Sequence, residues 1–134
     1  MKLQNIVCAA AAMICLAGCQ SKPAAGEAFP TVGAAEFREM LEKGGSEQVL
    51  LDVRTPEEFS QGHIKGALNI DFYAPEFKAQ LVALDKTKPY LIYCRSGNRT
   101  TQTIAMMSEM GFKKVVSLKK GLHDWSANNF PLEK

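Results

Sequence analysis

Cys94 heads the run Cys94-Arg95-Ser96-Gly97-Asn98-Arg99, directly after the apolar stretch Tyr90-Leu91-Ile92-Tyr93. The apolar stretch reads as a buried strand, the polar run as the loop it enters, and a helical pattern follows. A thiol so placed has loop N–H groups, a helix N-terminus and the charges of Arg95 and Arg99 available to hold a sulfur anion. Sulfur-centred nucleophilic chemistry is what these residue types at this spacing can perform. A thiol reacts as its thiolate, and an unperturbed one with a pKa of about 8.5 is mostly protonated at neutral pH. Converging amides and the two guanidinium charges are therefore expected to favour the thiolate and to stabilise an anionic leaving group. Gly97 lets the backbone turn sharply enough for the amides to converge. The competing reading is a buried inert cysteine, against which the polar loop argues. Arg95 could equally be a surface cation, whereas Arg99 calls for a carboxylate that would fix the loop's shape, with Asp52 and Glu58 as candidates.

The elements that position this loop follow from apolar spacing. Ala34, Phe37, Met40 and Leu41 fall at helical intervals over residues 34–43, and Gly44-Gly45 ends that helix. Val49 to Val53 is an apolar run suited to a strand buried on both faces. A helical turn from Pro56 to Ser60 starts on its proline, and Ala67 to Ile70 is a second strand. Phe77, Leu81 and Leu84 form the apolar face of a second long helix. Tyr90 to Cys94 is the third strand, Thr100 to Met110 a helix closed by Gly111, Val115 to Leu118 the fourth strand, and Leu122 to Ala127 the last helix. Such alternation predicts an α/β fold with a mainly parallel central sheet flanked by helices on both faces. Open parallel sheets place ligands outside the carboxyl ends of their strands, and Cys94 sits at one such end. Met106, Met107 and Met110 are read as core filling. The pairs Lys113-Lys114 and Lys119-Lys120 are read as solvated, the second pair near enough to the site to favour anionic substrates.

The chain has 134 residues and a formal charge of +2, enough for one domain and too little charge to indicate nucleic-acid binding. Met1-Lys2 and the apolar stretch Ile6 to Ala17 resemble a signal peptide, too short to span a membrane comfortably. Leu16-Ala17-Gly18-Cys19 is similar to the bacterial lipoprotein processing box. That resemblance implies removal of residues 1–18, lipidation of Cys19, and attachment to a membrane on the periplasmic side. Gln20 after Cys19 resembles the outer-membrane-sorted class rather than the inner-membrane-retained one. Residues 19–30 would then be the lipidated cysteine and a flexible tether, and 31–134 the folded domain. Cys8 and Cys15 would be lost with the leader, so Cys94 would be the one free thiol and no intramolecular disulfide could form. A lone thiol in an oxidising compartment is exposed to oxidation, so its presence calls for a use.

Asp52-Val53-Arg54-Thr55-Pro56-Glu57-Glu58-Phe59 followed by Gly62-His63-Ile64-Lys65-Gly66-Ala67 resembles the first signature of the rhodanese domain. Cys94 to Arg99 resembles the active-site loop of single-domain rhodaneses, and Gly111-Phe112, Val115 to Leu118 and Gly121 to Trp125 resemble the C-terminal pattern. The resemblance, covering residues 31 to the end, implies a rhodanese-like fold and a thiosulfate sulfurtransferase in which Cys94 accepts sulfane sulfur as a persulfide. It implies that Arg95, Ser96, Gly97, Asn98 and Arg99 form the substrate-binding cradle, with Arg99 also holding the loop. Asp52, Arg54, Glu58 and His63 would support that loop. His63 is read as satisfying local hydrogen bonds, not as a general base, and His123 and Trp125 as packing or rim residues. One departure is Lys120-Gly121, where the family often has Gly-Gly.

The implied partners are a small-molecule sulfane donor and a thiophilic acceptor, which could be a protein, with no metal or organic cofactor; cyanide is the family's usual test acceptor. Cysteine phosphatases and arsenate reductases have a similar loop with five residues between Cys and Arg, whereas four separate Cys94 from Arg99. The shorter loop suits one added sulfur better than a tetrahedral oxyanion. A persulfide carrier or partner-docking module is the alternative from a different functional class. A thiol redox sensor is disfavoured by the lack of a second mature thiol.

Overall fold

Strand formation here is a matter of two-sided burial. The computed structural model describes residues 29–134; the leader, Cys19 and all of the tether before Phe29 lie outside the described residues. Within them the chain forms β1 (Thr31–Val32), α1 (Ala34–Lys43), β2 (Val49–Asp52), α2 (Pro56–Gln61), β3 (Leu68–Asn69) and α3 (Phe77–Val82). It continues through β4 (Pro89–Tyr93), α4 (Asn98–Glu109), β5 (Lys114–Leu118) and α5 (Gly121–Ala127). The five strands form one sheet in the order β1-β5-β4-β2-β3, with every pairing parallel.

Alternation along the central strands distributes side chains to two cores. Leu51, Ile92, Cys94 and Val115 join Phe77, Leu81, Ile104 and Met107 on one side. Leu50, Leu91, Tyr93 and Leu118 join Phe37, Leu122 and Trp125 on the other. Helices α3 and α4 thus cover one face and α1 and α5 the other. Each fully buried large apolar side chain contributes about 1.5–3 kcal/mol, so the middle of the sheet is a rigid platform for the loops at its carboxyl edge.

The expected alternation of strand and helix is present, with two differences. Strand β1 was not anticipated, because two residues are too short to carry a period; it is held at the sheet edge by Thr31↔Ser117 and Val32↔Leu118. Helix α3 is six residues long, shorter than Phe77, Leu81 and Leu84 predict. Its last turn tightens, with Leu84 N–H donating to Leu81 O at 3.1 Å, and this keeps Leu84 against the core after the helix has ended.

Candidate active site

Strand β4 ends at Tyr93, and alternation turns the next side chain, Cys94, to the same face as Tyr90 and Ile92. Cys94 is fully buried, contrary to the expectation drawn from the polar loop. The loop arches over the sulfur, so its polar residues Arg95, Ser96 and Asn98 are exposed while the thiol forms the floor. The Gly97 N–H donates to Sγ at 3.1 Å, and the Thr100 hydroxyl lies 3.9 Å from Sγ. Gly97 holds a φ of 102°, open to glycine but costly for other residues. A side chain here would also meet Lys119 O at 2.6 Å. The first helical bond of α4 runs from Thr101 N–H to Gly97 O at 3.1 Å. The N–H groups of Asn98, Arg99 and Thr100 before it therefore have no intrahelical acceptor and remain available to an anion.

Arg99 is held by Glu58 through two parallel bonds, Nη1 to Oε2 at 2.6 Å and Nη2 to Oε1 at 2.8 Å. The guanidinium also lies 5.6 Å from the Tyr73 ring centroid. Arg99 therefore anchors the loop and is not a free cation for substrate. Asp52, the other candidate partner, is taken by Arg54, whose Nε and Nη2 contact its carboxylate at 2.7–3.0 Å. Thr55 and Glu58 decide which carboxylate reaches Arg99. Glu58 N–H donates to Thr55 Oγ1 at 3.3 Å and Thr55 N–H to Glu58 Oε2 at 3.1 Å, a capping box that starts α2 and aims Glu58 at the loop. The Thr-x-x-Glu spacing is a signal from which the capping box could have been read, though not the pairing with Arg99.

The Arg99 hydrogen bonds lower the Glu58 carboxyl from an ordinary 4.5 to about 2, assisted by the Thr55 N–H. Because the folded-state value is depressed, the stabilisation is present above pH 4.5 and is lost as pH falls from there towards 2. Glu58→Gln is expected to cost about 1.5–3 kcal/mol at neutral pH. Urea midpoints measured from pH 6 to pH 2 should show the gap between wild type and variant closing across that window. A gap independent of pH would mean that the carboxylate charge is not what stabilises the pair.

His63 does not reach the Cys94 loop as a supporting residue. Its ring stacks on Phe59 with centroids 3.7 Å apart, Nδ1 lies 3.0 Å from Phe59 O, and Nε2 faces Glu133 at 3.6 Å. Arg54 likewise braces Asp52 and the Gly62 carbonyl, the latter at 2.7 Å, so its support of the loop is indirect. Arg95 is exposed and its Nε points to His123 Nε2 at 3.3 Å. Trp125 belongs to the core, edge-on to Phe37 and Phe130, with Nε1–H donating to Pro131 O at 3.0 Å.

The start of α5 clamps the loop in a way that sequence reasoning did not find. Leu122 N–H donates to Cys94 O at 2.9 Å and His123 N–H to Arg95 O at 3.2 Å. These bonds tie both loop carbonyls to the start of α5. Lys120, at the departure from Gly-Gly, has a φ of −115°, which any residue adopts, so the lysine is accommodated; Gly121 has a φ of 56°.

A cavity of about 560 Å³ opens beside the loop, lined by Arg54, Glu58, Arg95, Leu122 and His123 among others. A larger one of about 720 Å³, lined by Pro30, Tyr90 and Val116, lies at the opposite pole of the sheet and includes no loop residue. Among the described residues no three His, Cys, Asp or Glu side chains come together as a metal-ligand set.

A parallel α/β sheet with a cysteine loop at its carboxyl edge matches a known family: residues 33–128 fit the one described as "Rhodanese-like domain". The chain is a rhodanese-like domain protein. It is 34% identical over 84 residues to a protein named "Sulfurtransferase" from Allochromatium vinosum, covering 63% of this chain and 77% of that one. It is 29% identical over 100 residues to "Thiosulfate sulfurtransferase GlpE" from Pseudomonas aeruginosa, covering 74% and 86%. Among solved structures, a rhodanese-related protein from Thermoplasma volcanium superposes with a TM-score of 0.68 at 26% identity, covering 78% of this chain and 98% of that one. This rhodanese-like domain therefore shares both fold and sequence family with proteins named as sulfurtransferases.

Proposed function

We propose that the protein is a thiosulfate sulfurtransferase working through a Cys94 persulfide. The observation that carries this reading is the sulfur of Cys94 beneath a loop whose Gly97 N–H donates to it, beside three first-turn amides of α4 without intrahelical acceptors. In the first half-reaction the Cys94 thiolate attacks the outer sulfur of thiosulfate. The S–S bond of the donor breaks, and its electron pair leaves with sulfite. The loop and first-turn amides stabilise the negative charge on the persulfide and on the departing sulfite. In the second half-reaction an acceptor thiolate or cyanide attacks the outer sulfur of the persulfide, and the electron pair of the enzyme's S–S bond returns to Cys94. The bidentate Glu58–Arg99 pair keeps the loop in the shape that presents those amides.

Thiosulfate mixed with the purified protein is expected to add the mass of one sulfur atom, on the peptide containing Cys94. Equal addition to Cys94→Ser, or none to wild type, would overturn the reading. If wild type gains sulfur only from a partner protein's persulfide, the protein is a carrier.

The N-terminal sequence supports a second proposal, that the mature protein begins at a lipidated Cys19 and works in the periplasm on a membrane, the outer one in preference to the inner. The intact mass of protein extracted from membranes tests lipidation directly.

A further inference from the structure

Tyr73 takes no part in the core, yet its ring is held against the residue that anchors the loop. Among the exposed large apolar and aromatic side chains of the described residues it stands furthest out, at 67%. Its neighbour Phe72 takes the inner place, packing against the core that contains Cys94, with its ring 5.2 Å from that of Phe77. Phe72 N–H donates to Val53 O at 3.3 Å, which ties the connection between β3 and α3 to the end of β2. Asp71 turns the chain at this point, its Oδ1 accepting the Tyr73 N–H at 2.9 Å and its carbonyl the Ala74 N–H at 3.1 Å. The Tyr73 ring then lies edge-on to Phe72 at 5.3 Å. The Arg99 guanidinium carbon stands over that ring, 5.6 Å from its centroid, within the range of a cation–π contact.

Arg99 is thus held by two segments far apart in the chain. Glu58 of α2 takes Nη1 and Nη2, and Tyr73 meets the guanidinium from the β3–α3 connection. The Arg99 side chain is 13% exposed and that of Glu58 26%, far less than the ring beside them. An ion pair weakens as water reaches it, so a ring on the guanidinium strengthens the pair by keeping water off. Arg99 also carries one of the three first-turn amides of α4 without an intrahelical acceptor, so whatever fixes Arg99 fixes part of the cradle over Cys94.

We infer that Tyr73 is a positioning residue for sulfur transfer, its ring covering Arg99 so that the Glu58–Arg99 pair stays closed and the first turn of α4 keeps its amides on Cys94. The effect on transfer rests on the sulfurtransferase reading; the hold on the ion pair does not. The ring face makes the contact, and phenylalanine keeps it.

The test therefore compares Tyr73→Leu with Tyr73→Phe, at a position exposed enough for both variants to fold, as urea midpoints will verify. Transfer from thiosulfate to cyanide is expected to fall about fivefold in Tyr73→Leu, the scale of one partly desolvated cation–π contact, and to stay within about twofold of wild type in Tyr73→Phe. The second readout is the Glu58 carboxyl, followed by carbon NMR as pH falls. The Arg99 hydrogen bonds and the Thr55 N–H hold it at about 2. Around the pair stand also Arg54, the Cys94 sulfur and, across the adjoining cavity, Arg95 and His123, none of which either substitution touches. Glu58 should bind its proton about fivefold more tightly in Tyr73→Leu and as in wild type in Tyr73→Phe. An unchanged Glu58 titration in Tyr73→Leu would overturn the assignment whatever happens to transfer, and so would equal disturbance in Tyr73→Phe. A displaced titration with transfer unchanged would show that closure of the pair does not govern the loop, and would overturn the positioning role. Should wild type take no sulfur from thiosulfate, the sulfurtransferase reading fails on its own, and the titration still decides whether the ring holds the pair.

Discussion

Cys94→Ser is expected to lower sulfur transfer from thiosulfate to cyanide by about 10³-fold or more, the scale of removing a covalent nucleophile. The alternative explanation, that the variant simply unfolds, is answered by the local geometry. Cys94 is fully buried, but two polar groups stand at its sulfur, the Gly97 N–H at 3.1 Å and the Thr100 hydroxyl at 3.9 Å, and both can partner a serine hydroxyl. The stability change should therefore stay within about 1 kcal/mol. Urea denaturation and steady-state turnover on the same preparation separate the two effects. A folded Cys94→Ser that retained transfer within tenfold of wild type would mean that sulfur passes through another group.

Gly121→Ala should damage the site from outside the loop. At a φ of 56°, an added Cβ would lie 2.2 Å from Cys94 O and 2.6 Å from Arg95 C and O. These are backbone atoms on the other side of the Leu122 N–H to Cys94 O bond, so relief requires the loop or the start of α5 to move. Left-handed strain and overpacking together should cost about 2–4 kcal/mol. Misplacement of the loop amides by even an ångström should lower transfer by about 10². Gly111→Ala is the control, since Gly111 shares a positive φ, 87°, but its Cβ would meet nothing within 4 Å. It should cost about 1 kcal/mol and leave transfer near wild type. Comparable losses of transfer in both variants would refute the clamp.

Much of the architecture was legible because the relevant physics is local. Val49 to Val53 and Tyr90 to Tyr93 are apolar without interruption, as two-sided burial in a parallel sheet demands, and Ala34, Phe37, Met40 and Leu41 repeat at the helical interval. Strand β1 escaped notice because its pairing with Ser117 and Leu118 lies in the partner strand and not in its own two residues. The composition of the loop was equally plain. The burial of its cysteine was not, since polarity along Arg95 to Asn98 describes the roof and says nothing of the side chain beneath it.

The sequence by itself determined the order of strands and helices from α1 onward, the position of a thiol at a strand's carboxyl end, and the glycine that lets the loop turn, because each depends on neighbours within a few residues. Tertiary structure alone decided that Arg99 pairs with Glu58, 41 positions away, while Asp52 is consumed by Arg54 two positions on. It also decided that α5 holds the carbonyls of Cys94 and Arg95, and that Arg54, Arg95 and His123 share one cavity. Pattern and propensity act along the chain, whereas charge pairing and hydrogen-bond satisfaction act through space, so which of two equally suitable carboxylates meets an arginine is settled only when the sheet has brought the segments together.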